Sequence, residues 1–431
     1  MHGVKRQPKS ATTSEAKAAR KAKESSKLAA YLEIERTFFT HKSSSRKDQT
    51  ALEHTTKLLT LNPELYTVWN YRREILLSLF ASPIEQAAEG QKEDVFASLR
   101  EPTQHTEGGE KKVDAVEEEE KKHRNRNLLE DDLTLTEHAL RAHPKVYWIW
   151  NHRMWCLTQY PPPPAEGGGE GWVWERELKL VEKMLDYDPR NFHGWNGRRA
   201  IVQHLALSIL SSHSSTSWSV VASQLSFPSL LSRPEIVGEE GGTKEILLKL
   251  AERELSYALR KIESNFSNFS AWHQRTQLLP HVWAAKNLGV KEVDAKLDAE
   301  FELVKQAIYT DPSDQSVWFY HRWLLDLLLS PPSPAEEKEE EKEGRKERRA
   351  KVIKEEIGVI EELLELEPES KWCAVSLAHL YTILAGLEGK EGGEKEGGWK
   401  GKAKGLLERL MELDPDREAR YRDLLDGKAH F

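Results

Sequence analysis

The chain has 431 residues and a formal net charge of -8, so no global basic field recruits nucleic acid. Its two cysteines, Cys156 and Cys373, lie far apart and suggest a reducing compartment rather than a disulfide framework. The first 30 residues hold no apolar signal core and no 18-residue apolar run occurs anywhere, which points to a cytoplasmic protein without a membrane span.

Residues 1–27 read as a flexible basic segment, and 28–41 (Leu28, Tyr31, Leu32, Ile34, Phe38, Phe39) as the start of an amphipathic helix. From Gln49 a pattern recurs. Asn62-Pro63 is followed by Trp69, His143-Pro144 by Trp150, Asp188-Pro189 by Trp195 and Asp311-Pro312 by Trp318. In these four copies the Trp falls six residues after the Pro. A fifth copy places Asn265-Phe266 before Trp272. An arginine follows each Trp by three or four residues: Arg73, Arg153, Arg199, Arg275 and Arg322. The Pro ends one helix, because its preceding residue is pushed out of the α region, and a second helix restarts through the Trp. Leu297, Phe301, Val304 and Ile308 lie on one helix face, as do Ile353, Ile357, Ile360 and Leu364. The expected fold is therefore all-α, tandem helical hairpins over 28–431.

Charge-rich or small-residue insertions interrupt the array near 84–126, 161–171, 211–243, 331–350 and 387–400. They bury too little apolar surface to offset ordering entropy and read as solvated loops, although the Glu/Lys runs could extend a helix. A sixth copy, Glu367-Pro368, has its Trp372 at an offset of four, and a degenerate seventh follows Asp414-Pro415. Atypical end repeats suit a solenoid whose last unit faces water.

Each motif Trp is most simply a core residue wedged against the next hairpin, with its Arg one turn later beside the ring or a neighbouring helix C-terminus. The chain has no H-E-x-x-H or Cys-x-x-Cys spacing, no P-loop and no G-x-S-x-G. On chemistry alone it reads as a binding scaffold of the tetratricopeptide-like kind.

The tandem Pro-x5-Trp units with their following Arg resemble the repeats of protein prenyltransferase α subunits, from about residue 49 to about 330 and more weakly beyond. The resemblance implies a right-handed α-α superhelix, a crescent around a β subunit that carries the zinc and most of the isoprenoid pocket. It further implies that Lys145, with Tyr147 nearby, reaches the diphosphate of the prenyl donor. His193 would stand on the diphosphate side, and Asn191 and Phe192 would line the substrate. A fixed ammonium there would stabilise the departing diphosphate more in the transition state than in the ground state.

Within that family the chain is most similar to the Rab geranylgeranyltransferase type. It opens Met1-His2-Gly3-Val4-Lys5-Arg6, it carries Trp148 where CaaX-reading enzymes have a Gln, and it reads Trp69-Asn70-Tyr71-Arg72-Arg73-Glu74 in the first repeat. An indole donates one hydrogen bond and accepts none, so it serves a peptide carboxylate differently from an amide. The resemblance then implies geranylgeranyl diphosphate as donor, with magnesium as an accompanying ion. It implies a Rab escort protein and Rab GTPases as partners beside β, and no metal held by this chain. His2 is a weak candidate for approaching the β-subunit zinc. The alternative is an α subunit shared by farnesyltransferase and the type I enzyme.

Overall fold

The computed structural model describes residues 14–82, 107–161, 171–213, 224–233, 242–330, 339–389 and 398–431. Among these, all regular structure is helical. The contacts divide at Leu205 into two compact units, where the sequence suggested one body. The first unit holds α1 (Ser14–Ser43), α2 (Gln49–Leu61), α3 (Tyr66–Ala81), α4 (Glu107–Ala142), α5 (Tyr147–Thr158), α6 (Trp172–Tyr187) and the start of α7 (Phe192–His213). After the short α8 (Phe227–Leu231), the second unit pairs α9 (Gly242–Ser264) with α10 (Phe269–Ala285) and α11 (Val290–Thr310) with α12 (Gln315–Leu329). It also pairs α13 (Glu339–Leu366) with α14 (Lys371–Glu388), and ends with α15 (Trp399–Leu413), a 3-10 turn (Pro415–Arg417) and α16 (Glu418–Leu425).

The hairpin turn explains the motif. The amide of Leu65 donates to the carbonyl of Asn62, Val146 to His143, Asn191 to Asp188, Asn268 to Asn265 and Asp314 to Asp311. Each is a four-residue turn, and in four of the five the Pro occupies the second position, where its fixed φ is favourable. The Trp then closes the loop. The indole N–H of Trp69 donates to the carbonyl of Pro63 at 2.8 Å, Trp150 to Pro144 at 2.9 Å, Trp195 to Pro189 at 2.8 Å and Trp318 to Pro312 at 2.9 Å. Trp272 donates to Phe266 at 2.7 Å. A backbone carbonyl is the acceptor, so the pyrrolidine ring is dispensable and Phe266 can replace it. In the sixth repeat the offset of six falls on buried Ala374, and Trp372 lies nearer the surface.

Four of the five tryptophans are buried, while Trp150 is half-buried. Three of the five meet the next repeat at the residue two after its Trp. Trp69 lies 4.7 Å from the His152 ring and Trp272 4.6 Å from Tyr320. Trp150 meets Gly197, where an added Cβ would come within 3.3 Å of the indole.

The arginines need correction. The interior position is three residues after the Trp, not four. Arg72 clasps Asp132 at 2.7 and 2.8 Å, and Arg153 clasps Glu177 at 2.6 and 2.7 Å. Arg275 pairs with Glu300, and in the fifth repeat along the chain, where His321 takes the place of the Arg, it bonds Glu356 at 3.0 Å. Each links a second helix to the first helix of the next hairpin. Arg73, Arg199 and Arg322, a further 100° around their helices, are only half-buried. Arg73 alone of these lies over a Trp ring, that of Trp155, at 5.5 Å.

Four of the five expected loops are partly helix. Residues 107–126 belong to α4, 211–213 to α7, 227–231 to α8, 242–243 to α9, 339–350 to α13, 387–388 to α14 and 399–400 to α15, whereas 84–106, 162–170, 214–223, 234–241, 331–338 and 390–397 lie outside the described residues. Glu, Lys and Arg are good helix formers, and pairs such as Lys122 with Glu119 at 2.9 Å support the turns. The extensions also cap their neighbours. Arg124 donates to the carbonyls of Leu79 and Ser82 at the end of α3, and Arg349 to those of Leu328 and Ser330 at the end of α12. Likewise residues 14–27, expected as flexible, form the exposed first half of α1, with Arg20 paired to Glu24. His2 lies outside the described residues.

Candidate functional site

Two adjacent turns of the first unit build the candidate site. Lys145 follows Pro144 in the turn before α5, and Tyr147 opens that helix. Phe192 and His193 open α7 after the turn that begins at Asp188. Asn191 couples the two. Its side-chain oxygen accepts the His193 amide at 3.0 Å, capping α7, and its Nδ2 donates to the Pro144 carbonyl at 3.0 Å. That carbonyl also accepts the Trp150 indole, so the spacing motif and the site share one atom.

The side chains converge. The rings of Tyr147 and His193 are 5.9 Å apart, and those of Phe192 and His193 are 4.0 Å apart. Tyr147 and Phe192 are exposed, and Lys145 reaches into solvent with its ammonium 3.4 Å from Asp188. His193 is mostly buried. Burial pushes its imidazole below the ordinary range, and a hydrogen bond with the Lys145 backbone opposes that shift. A neutral imidazole beside an exposed ammonium offers one charge and one polar edge to an anion. Asn191 is 3% exposed with its amide spent on protein, so it positions the turns rather than facing a ligand.

Two neighbours were missed in the sequence. Asp188, read only as a residue before proline, is the counter-ion of Lys145. Tyr66, the first residue of α3, is 5.3 Å from the Trp148 ring, whose other neighbour is Tyr147 at 5.5 Å. The signal was available, since Tyr66, Tyr147 and Phe192 all stand three residues after the proline.

Among the described residues Asp132, His152 and Cys156 come close enough to share a metal ion. They do not fit one. Both carboxylate oxygens of Asp132 are held by Arg72, and one also bonds His152 at 2.7 Å. Burial pushes the Cys156 thiol well above its ordinary range, which withholds the thiolate a metal needs.

The model of the protein prenyltransferase alpha subunit repeat matches residues 48–79, 129–160, 174–205, 251–282 and 297–328. The geranylgeranyl transferase type-2 subunit alpha of Schizosaccharomyces pombe is 31% identical over 98% of this chain and 97% of its own length. That of Candida albicans is 27% identical over 99% of this chain and 98% of its own. A chain of the Candida albicans protein geranylgeranyltransferase-I complexed with GGPP is similar in fold, with a TM-score of 0.51 and 18% identity, covering 92% of this chain and 90% of that one.

Proposed function

Because the chain belongs to the family of geranylgeranyl transferase type-2 α subunits, we propose that Lys145, Tyr147 and His193 receive the diphosphate of geranylgeranyl diphosphate during prenyl transfer. The partner is a β subunit that carries the zinc, and the acceptors are C-terminal cysteines of Rab GTPases presented by an escort protein. The observation that carries this reading is the meeting of two repeats at one patch, where the Lys145 ammonium is open to solvent and tied only loosely to Asp188.

When bound in the β subunit, zinc supplies the acceptor cysteine as a thiolate. The carbon–sulfur bond forms at C1 of the isoprenoid as the carbon–oxygen bond to diphosphate breaks, and the electron pair leaves with the diphosphate. Lys145 then exchanges Asp188 for the growing phosphate charge, while the Tyr147 hydroxyl and the His193 ring offer hydrogen bonds. Asn191 holds the two turns in register, which fixes the distance between these groups. A single carboxylate already engaged by a lysine does not make a magnesium site, so no metal step is assigned to this chain. The packing of Trp148 between Tyr66 and Tyr147 favours the Rab reading over a CaaX one, since its edge offers no acceptor and its ring is already in contact.

Co-expression with a β subunit and an escort protein, followed by transfer assays on Rab and on CaaX peptides, tests the proposal. Lys145→Ala should lower turnover by about 100- to 1,000-fold with the heterodimer intact, the loss expected for one preorganised stabiliser of developing charge. Unchanged turnover would remove Lys145 from the site, and transfer to CaaX peptides alone would remove the Rab assignment.

A further inference from the structure

Arg322, outside the ion-pair ladder, lines a cavity of about 190 Å³ in the second unit. Phe319 and Arg322 of α12, Trp372 of α14, Arg417 of the 3-10 turn, Arg420 of α16 and Phe431 form its main walls. Three guanidiniums thus surround an aromatic floor, and none of the lining side chains is acidic.

The charges there are poorly compensated. Arg417 lies 5.4 Å from the Trp372 ring and 3.6 Å from Asp414. That carboxylate is already shared with the Tyr421 hydroxyl at 2.7 Å and with Lys371 at 3.4 Å. Arg420 donates to the His430 carbonyl. Arg322 is half-buried and has no hydrogen-bond or ion-pair partner among the described residues. Burial lowers its pKa, Asp326 one turn along opposes this weakly, and Arg420 adds to the lowering. Arg322 and Arg420 repel each other, and an incoming anion relieves that repulsion.

Size selects the ligand class. Pockets for whole small molecules run from roughly 300 to 1,000 Å³, so this cavity is scaled to one side chain. Its walls of Trp, Tyr and Arg are the residue types that receive the central anchor of a protein interface. We propose that the cavity docks an acidic segment of a partner protein through one anchor residue, an aromatic or large aliphatic side chain flanked by a carboxylate. The floor takes the apolar group, and Arg322 with Arg420 takes the charge. This inference does not depend on the prenyl-transfer patch, which lies in the other unit.

The test uses the full chain with N-acetyl-L-phenylalanine as probe, set against N-acetyl-L-phenylalaninamide, which keeps the ring and lacks the charge. Calorimetry or ligand-observed NMR should show millimolar-range binding of the carboxylate, on the order expected for so few atoms. The amide should bind at least about fivefold more weakly. Raising the salt from low to high should narrow that gap by screening. Arg322→Gln, checked for unchanged helix content, should erase the preference. Equal binding of both forms would make the cavity an apolar crevice only. That result, absence of saturable binding, or an intact preference in Arg322→Gln would each overturn the proposal.

Discussion

Two buried junctions, one in each unit, carry the same wiring with different parts. In the first unit Arg72 of α3 clasps Asp132 of α4, which also bonds His152 of α5. In the second, Arg275 of α10 pairs with Glu300 of α11, which accepts the Tyr320 hydroxyl of α12 at 2.7 Å. The earlier Trp leans on the third member in both cases, Trp69 on His152 and Trp272 on Tyr320. The layout therefore demands a flat ring with a hydrogen-bond donor, not a particular residue. The junction of Arg153 with Glu177 dispenses with the third member, because Gly197 stands there and brings α7 up to Trp150. That stripped junction is the one beside Lys145 and His193. The interior rungs sit two and three residues after each Trp, and the groups free for chemistry sit at the turn.

The largest expected effect comes from breaking the first junction. Asp132→Asn leaves the Arg72 guanidinium buried without a counter-charge, which should cost roughly 3–5 kcal/mol. The corresponding Glu300→Gln should cost less, because Glu300 is 7% exposed and water can reach part of the orphaned charge, whereas Asp132 has no exposure. Urea unfolding of the two variants under one condition compares them. A larger loss for Glu300→Gln would show that depth does not rank the junctions.

Much of this was legible. The hairpins, the six-residue offset and the core tryptophans follow from local backbone chemistry, and the turn with its closing indole is a purely local device. The choice between adjacent arginines was not read correctly. Arg72-Arg73 and Arg198-Arg199 fill both candidate positions, so those repeats do not tell the two offsets apart. Three residues after the Trp gives Arg72, Arg153, Arg198 and Arg275, whereas four gives only Arg73, Arg199 and Arg322. The acidic partners were missed because a single Asp or Glu in a charged chain draws no notice. Their register was present all the same: Asp132, Glu177 and Glu300 each stand eighteen residues before the Trp of their own repeat. Lys145 and His193 were named from family resemblance, since nothing local separates a site lysine from a surface one. The cavity beside Arg322 joins three helices and a chain end, which no local pattern announces.

A milder cut sharpens the comparison. Tyr320→Phe keeps the ring under Trp272 and removes only the hydroxyl, so it should cost about 1.5 kcal/mol, the value of a hydrogen bond to a charged group. His152→Phe removes a donor of the same kind and should cost a similar amount, plus a packing change where Trp155 also stacks on the ring. Urea midpoints again measure both. A negligible loss in Tyr320→Phe would mean that the Arg275 clasp alone satisfies Glu300.

The smallest effect separates the junctions by pH. Burial drives the His152 imidazole below its ordinary 6.5, with Asp132 only partly opposing it. The folded form thus stays neutral where the unfolded chain takes up a proton, and the stability this contributes is full above about 6.5 and is lost as pH falls below it. Burial pushes the Asp132 carboxyl up, yet Arg72 and His152 outweigh it and hold the group at about 2, so a second loss follows between about 4 and 2. Tyr320 behaves oppositely. Burial and the Glu300 charge raise its phenol well above 10.0, so its contribution is present below 10 and lost as pH rises through it. Each titration is worth at most about 1.4 kcal/mol per pH unit. Urea midpoints across pH 5 to 10.5 should therefore fall at both ends. His152→Phe should flatten the decline between pH 6.5 and 5, and Tyr320→Phe the decline above pH 10. If either substitution flattened the other's limb, the two junctions would not be the independent switches their chemistry describes.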